Sequence, residues 1–314
     1  MKFIFIGDYH WTDKEPYFTG LKKLSKYIID NYKNDIVFFS GDFWDKNTPN
    51  WEKAYSEGLD LLLSLNNVHL INGNHELGTK GNLLAPLKNK FKNLSIYTEK
   101  TELEIEGYKF LMLPFLYDRK KMDSEYKNLT GEYDFVFNHV SPIGSNYGQE
   151  EFDFNLLNVS QAIIYGHIHT KKQFVAGNNQ HYVLGVPQPT KSGEDSIKSI
   201  LEFDIDTKQF TEIDLPCYFD ILNLDYQKID INTLNKDFLY NVYNAPSIID
   251  VENKLKGFYI NTINLLHKTT AKESNNTMQT FNNKLEDTFL EYCKEMSVNP
   301  EVMETCLRYI TTNQ

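Results

Sequence analysis

Eight side chains in this sequence are of the types that bind divalent metal ions or move protons, and each closely follows an apolar run. Asp8 and His10 come after Phe3-Ile4-Phe5-Ile6-Gly7. Asp42 comes after Ile36-Val37-Phe38-Phe39-Ser40-Gly41. Asn74 and His75 follow Val68 to Ile71 and then Asn72-Gly73. His139 follows Phe135-Val136-Phe137-Asn138, and His167 and His169 follow Ala162-Ile163-Ile164-Tyr165-Gly166. Five of the eight histidines of the chain belong to this set, so imidazole is concentrated here. Mixed Asp, Asn and His ligation suits borderline divalent ions such as Mn²⁺, Fe²⁺ or Zn²⁺. The lack of cysteine in the set argues against a structural zinc site. The donors suffice for two ions, and two ions about 3.5–4 Å apart clamp the attacking and leaving oxygens of a phosphoryl centre. Asp42, on the middle strand, is expected to bridge them. His75 follows a ligand-type asparagine and is expected to face substrate, steadying the phosphate or protonating the leaving oxygen.

Any one of these pairs taken alone reads as a turn. Lone histidines such as His69, His181 and His267 read as packing or surface residues. Five buried-strand ends that all carry ligand-type residues carry the reading.

Short apolar runs bounded by glycine predict buried strands. Residues 17–33 place Phe18, Leu21, Leu24, Ile28 and Ile29 on one helical face. Residues 51–65 do the same with Tyr55, Leu59 and Leu62. Strand, helix, strand, helix, strand predicts a parallel sheet with right-handed crossovers. Residues 83–91 are expected to form a further sheet-covering helix. Leu61 and Leu63, off the inward stripe of residues 51–65, suggest a second buried face on that helix. Short strands at 94–97, 103–105 and 110–113 are expected to make hairpins around Glu106-Gly107. Residues 172–214 alternate again, with turns at Gly177-Asn178-Asn179 and Asp206-Thr207. The fold class expected is therefore α/β (α+β), a β-sandwich of two facing sheets with helices outside. Three parts are expected: residues 1–215, a small α/β segment at 216–267, and residues 268–314. In the last part a polar linker leads into two amphipathic helices, the second capped by Asn299 with Pro300 at its first position.

The net charge of -11 argues against a protein that coats nucleic acid through general basicity. It leaves a polyanionic substrate open, because bound cations add local positive charge. The three cysteines, Cys217, Cys293 and Cys306, are widely spaced and read as reduced thiols. No apolar run approaches membrane-spanning length, and a cytoplasmic location is expected, the host cytoplasm for a viral protein. Two short basic clusters, at Lys88, Lys90 and Lys92 and at Arg119, Lys120 and Lys121, are read as solvated surface or as contacts to phosphates.

The ordered motifs GDYH, GDFWD, GNHE, NHV and GHIH resemble those of the calcineurin-like metallophosphoesterase superfamily, over residues 1 to about 215. Within it the chain looks most like the SbcD-type DNA repair and recombination nucleases and their bacteriophage counterparts. Asp8-Tyr9-His10-Trp11, Gly41-Asp42-Phe43-Trp44-Asp45 with Pro49, and Gly185-Val186-Pro187-Gln188-Pro189 leading to Gly193-Glu194-Asp195 carry the narrower likeness. Glu76 departs from it, since that position is usually aspartate in SbcD-type enzymes. The resemblance implies the four-layer metallophosphoesterase sandwich. It implies that Asp8, His10 and His169 hold one metal and Asn74, His139 and His167 the other, with Asp42 between them. His75 would be the catalytic histidine, and Asp45 would orient a ligand or loop. The implied cofactor is two divalent ions, Mn²⁺ first, with Mg²⁺, Fe²⁺ or Zn²⁺ as alternatives. The implied activity is exonucleolytic and endonucleolytic DNA cleavage. The implied partners are DNA, a second copy of the chain through helices near residues 51–91, and an SbcC-type coiled-coil ATPase docking on residues 276–312. A phosphatase or nucleotide phosphodiesterase of the same superfamily is the alternative.

Overall fold

A computed structural model describes residues 1–45, 51–78, 81–143, 145, 151–192, 194 and 197–265. The chain begins with β1 (Lys2–Ile6), α1 (Tyr17–Tyr32), β2 (Ile36–Phe39), α2 (Trp51–Ser64) and β3 (Asn67–Ile71). A small hairpin, β4 (Leu77–Gly78) and β5 (Gly81–Asn82), precedes β6 (Leu94–Tyr97), β7 (Thr101–Ile105) and β8 (Tyr108–Leu113). Then come α3 (Arg119–Tyr126), β9 (Gly131–Asn138), β10 (Ser141–Pro142), β11 (Glu151–Phe152) and β12 (Leu157–Tyr165). Four further strands follow: β13 (Lys172–Ala176), β14 (Asn179–Val183), β15 (Ser199–Asp204) and β16 (Gln209–Asp214). The described chain closes with β17 (Ile221–Asp225), β18 (Leu239–Ala245), α4 (Ile248–Lys254) and β19 (Tyr259–Leu265).

Two six-stranded sheets result, ordered β16-β15-β1-β2-β3-β6 and β13-β14-β12-β9-β8-β7. Each has four parallel strands in a row, with antiparallel strands beyond them. The unbroken apolar runs now have a cause. Strand β1 sends Phe3 and Phe5 into the space between the sheets and Ile4 and Ile6 toward α1 and α2, so both faces are buried. The layer between the sheets is strongly aromatic. Phe38 stacks on Phe110 at 5.1 Å and Phe110 on Phe135 at 4.7 Å, within the favourable range for ring pairs. On the far side, α3 contributes Met122 and Tyr126 to a third apolar layer with Leu111, Val136 and Ile163. Helix, sheet, sheet, helix is the expected four-layer α/β sandwich.

Three local expectations are corrected. Residues 83–91 contain one 3₁₀ turn, Ala85–Leu87, and no α-helix. Pro86 removes a backbone donor, Asn82 accepts from the Leu84 N–H, and Asn89 sits at φ 62°, so three residues compete against helical bonding. Leu94–Tyr97 forms no hairpin; it pairs in parallel with β3 in the first sheet, and only β7 and β8 make the hairpin. Leu61 is buried in the core beneath α2 and leaves only Leu63 exposed there, because tight packing of α2 against α1 covers a wider face than one stripe.

Residues 1–264 form one compact unit. Within it, the three-stranded sheet β17-β18-β19 and α4 enclose a small core around Tyr240, Val242, Val251 and Leu255. Phe219 packs where Gly20 of α1 leaves room for its ring. The linker and terminal helices expected at 268–314, and His267, lie outside the described residues. Among the described residues no helix is long and apolar enough to cross a membrane.

His69 is a packing residue, as expected. It is buried, stacked on Phe38 at 4.9 Å and on Tyr97 at 5.9 Å, with Nδ1 2.7 Å from the Tyr97 hydroxyl. Burial pushes its pKa down to about 4. An unfolded histidine titrates near 6.5, so the fold binds fewer protons than the unfolded chain between those values. Stability is therefore fully present above about pH 6.5 and is lost as pH falls toward about 4, by up to ~3 kcal/mol from this group. Urea unfolding of metal-free protein at pH 4.5 and 7 should show a smaller pH difference for His69→Phe than for the wild type. An unchanged difference would place the acid sensitivity elsewhere.

Candidate metal centre

Register explains why distant residues meet. Ile6 lies opposite Phe39, and Phe39 opposite Leu70, so β1, β2 and β3 end level with one another. Leu113 and Tyr165 both lie opposite Asn138, so β8, β9 and β12 end level in the second sheet. The residues after these ends emerge together at the carboxyl edge of the parallel strands, where open sheets of this kind bind ligands.

All the predicted site residues are brought together. Ligand atoms of Asp8, His10 and His169 lie within 4.8 Å of one another, and so do those of Asp42, His139 and His167. Asp42 also joins His10 and His75 in a group of the same size, which makes it the member common to both halves of the site. Asn74 completes the second half: its Oδ1 lies 3.2 Å from His139 Nε2 and 3.0 Å from His167 Nδ1. In the first half, the Nε2 atoms of His10 and His169 face each other at 3.1 Å.

The donor set fits divalent cations. Asp8 Oδ1 accepts from the Ser40 hydroxyl and the His167 N–H, while Asp8 Oδ2 is buried without a hydrogen-bond partner. A buried carboxylate oxygen with no donor calls for a cation. His139 Nδ1 is 2.6 Å from the Ser40 carbonyl oxygen, which leaves Nε2 toward Asp42 and Asn74. Such a partner on the far nitrogen fixes an imidazole for metal binding. Burial holds His10 and His167 in their neutral form, with pKa values down to about 3 and about 4. Neutral imidazole is the form that ligates. His139 is different: burial opposes its charge, but Asp42 and Asp8 beside it outweigh that and push its pKa up to about 10. A cation arriving there must displace a proton.

The loops that present these groups are strained and tightly packed. His10, Asp42 and His167 all adopt left-handed backbone, at φ 51°, 45° and 71°. Gly41 precedes Asp42 at φ 95°, and a Cβ on Gly73 would lie 2.2 Å from the Asp42 nitrogen. Glu76 organises this approach. Its buried carboxylate accepts from the backbone N–H groups of Asp42, Gly73 and Trp44. Sequence reasoning treated Glu76 only as a departure in spelling; its position after a histidine was the available signal.

His75 stands at the rim, with its side chain 26% exposed while Asp8, His10, Asp42 and His139 are buried, so it can reach a molecule in solution. Its N–H donates to Asp42 Oδ1 at 2.7 Å, and its ring lies 4.8 Å from that of His10. Asp45 Oδ1 lies 3.5 Å from His75 Nδ1. Burial alone would lower the His75 pKa, but Asp45 and Asp42 more than offset it and raise it. Phe115 closes the second half, its ring 6.3 Å from that of His167 and 6.5 Å from that of His139. Two of the three basic residues of α3 pair within their own helix, Arg119 with Asp123 and Lys121 with Glu125.

A sandwich whose strand ends gather two His/Asp/Asn clusters around one aspartate defines a metallophosphoesterase. The chain belongs to the calcineurin-like phosphoesterase family, whose model matches residues 1–171. Among solved structures it is similar to an archaeal phosphodiesterase, at 19% identity over 68% of this chain and 100% of that one, TM-score 0.40. It is also similar to Vps29 from Entamoeba histolytica complexed with Zn²⁺, at 14% identity over 68% and 99%, TM-score 0.33. A predicted phosphoesterase from Streptococcus pneumoniae TIGR4 matches at 15% identity over 68% and 97%, TM-score 0.30. No curated protein matches the chain.

Proposed function

We propose that this phosphoesterase is a two-metal DNA nuclease of the SbcD type, with Mn²⁺ as its cofactor. The observation that carries the reading is the chain of three donor groups, Asp8/His10/His169, His10/Asp42/His75 and Asp42/His139/His167, linked through His10 and Asp42. Asp8, His10 and His169 are assigned to one ion, Asn74, His139 and His167 to the other, and Asp42 to both. When bound, the ions supply Lewis-acid activation of the phosphoryl group and an ionised water as nucleophile.

The chain itself supplies position and proton control. His75 carries a proton to higher pH than an ordinary imidazole, and its exposed edge can meet a phosphate oxygen or the leaving oxygen. Asp45 holds the far side of that ring. The narrower, nuclease reading rests on residues around the site. Trp11 and Trp44 form a backbone bridge that locks the first two motifs together, with His10 N–H donating to the Asp42 carbonyl and Trp11 N–H to that of Phe43. The histidine pair at 167 and 169 and the segment from Gly185 to Glu194 support the same subfamily.

The proposed partners are DNA and an SbcC-type ATPase that docks on residues 276–312, with a second copy of the chain joining through the region of α2. Purified protein with Mn²⁺ should degrade linear DNA. Strong turnover of nucleotides or phosphoproteins without DNA cleavage would instead make it a phosphatase or nucleotide phosphodiesterase. A pull-down with the ATPase should succeed with the full chain and fail once residues 268–314 are removed.

A further inference from the structure

The two halves of the site are held from behind in different ways. In the second half, His139 Nδ1 meets a backbone carbonyl, that of Ser40. In the first half, His169 Nδ1 meets side chains brought by a loop after β14. It lies 2.8 Å from Thr190 Oγ1 and 3.2 Å from Glu194 Oε1.

The hydrogens in this group can be counted. The Thr190 hydroxyl is 2.6 Å from Glu194 Oε1, and a carboxylate only accepts, so the hydroxyl donates to it. That leaves Thr190 Oγ1 as an acceptor toward His169. Both groups around Nδ1 thus accept, and the ring proton must sit on Nδ1. The lone pair of Nε2 is then left facing His10 and the Asp8 side. Glu194 is itself held in place. Its Oε2 accepts from the Thr190 N–H at 2.9 Å and from Lys198 Nζ at 3.2 Å. Its side chain is 2% exposed and that of Lys198 is 8% exposed, so the ion pair is sealed from water.

We infer that Thr190 and Glu194, anchored by Lys198, are positioning residues that set the affinity of the Asp8/His10/His169 half of the site. This rests on the metal assignment above. A carboxylate behind a ligating histidine fixes its tautomer and raises its basicity, and removal of such a partner typically costs about 10–100-fold in metal affinity. The second half has a neutral carbonyl in that place, so the loop acts on one ion and leaves the other alone.

Calorimetric titration with Mn²⁺, together with electron paramagnetic resonance, tests this. The wild type should bind two equivalents and show an exchange-coupled signal. Thr190→Val keeps the volume but loses the hydroxyl. It should weaken one equivalent about 10–100-fold and leave the other unchanged, so that at low metal the signal becomes that of an isolated ion. Thr190→Ser is smaller but keeps the hydroxyl, and it should restore both. Glu194→Gln should weaken the same equivalent by less than Glu194→Ala does. If Thr190→Ser is weakened and Thr190→Val is not, the side chain serves packing and the inference fails. It also fails if every variant binds two equivalents at wild-type affinity. If the wild type binds no Mn²⁺, the metal assignment itself fails, which is a different result.

Discussion

Asp42→Ala is expected to abolish phosphoester hydrolysis, by about 10³-fold or more, and to lower the bound metal below two equivalents. The magnitude follows from the several kcal/mol of charge stabilisation that a metal pair supplies, at 1.36 kcal/mol per tenfold in rate. Asp42 groups with His10 of the first half and with His139 and His167 of the second, so its loss touches both halves at once. It also has a structural duty, because Oδ1 accepts the His75 N–H at 2.7 Å. Asp42→Asn separates the two roles. The amide oxygen can still accept that bond, while the negative charge is gone. Metal analysis and hydrolysis assays on both variants check the assignment. Full activity in Asp42→Asn would show that the negative charge is not needed, and full activity in Asp42→Ala would remove Asp42 from the metal site.

The second large effect is expected at His75. His75→Ala should retain both metals and lose about 10²–10⁴-fold in turnover, the usual span for a positioned general acid or base. Its neighbours support a protonated role: Asp45 lies 3.5 Å from Nδ1, and together with Asp42 it raises the pKa against the effect of burial. In the wild type, activity that depends on the protonated ring should fall as pH rises through that raised pKa, and the variant should lose this limb. The leaving group provides a further test. If His75 protonates the leaving oxygen, the loss should be larger for DNA than for p-nitrophenyl esters, whose leaving group needs no proton. An equal loss on both would place His75 on the phosphate oxygens. A variant that binds fewer metals would make the residue a ligand instead, as its closeness to His10 and Asp42 permits.

These predictions involve few residues because the site is built by backbone register rather than by any one loop. Six parallel strands in two sheets end level, and each brings its own following residues to the same edge. A core substitution that disturbs one strand would therefore be felt at several ligands together. Phe38 is such a position, since its ring stacks on Phe110 and on His69 and meets Phe3 and Phe5 as well.

The ends of the strands and the kinds of donors that follow them were legible in the amino-acid sequence. Apolar runs buried on both faces, stopped by glycine and then by Asp, Asn or His, are a local pattern, and local patterns survive in a linear reading. Helices α1 and α2 and the turn at Glu106-Gly107 were legible for the same reason. Other features depended on residues far apart in the chain, which periodicity does not encode. His10 and His169 face each other across 159 positions. The left-handed backbone at His10, Asp42 and His167 is imposed by surrounding packing and has no signature in residues that lack glycine's freedom. Glu76 and Glu194 stand in motifs of the sequence, as a departure in one and a match in the other, but the sequence assigns neither a contact. Only the folded chain buries them, one under three backbone N–H groups and the other behind His169. Leu94–Tyr97 and Leu61 were misread for the same cause: a strand's partner and a helix's covered face are chosen by the neighbours that tertiary packing supplies.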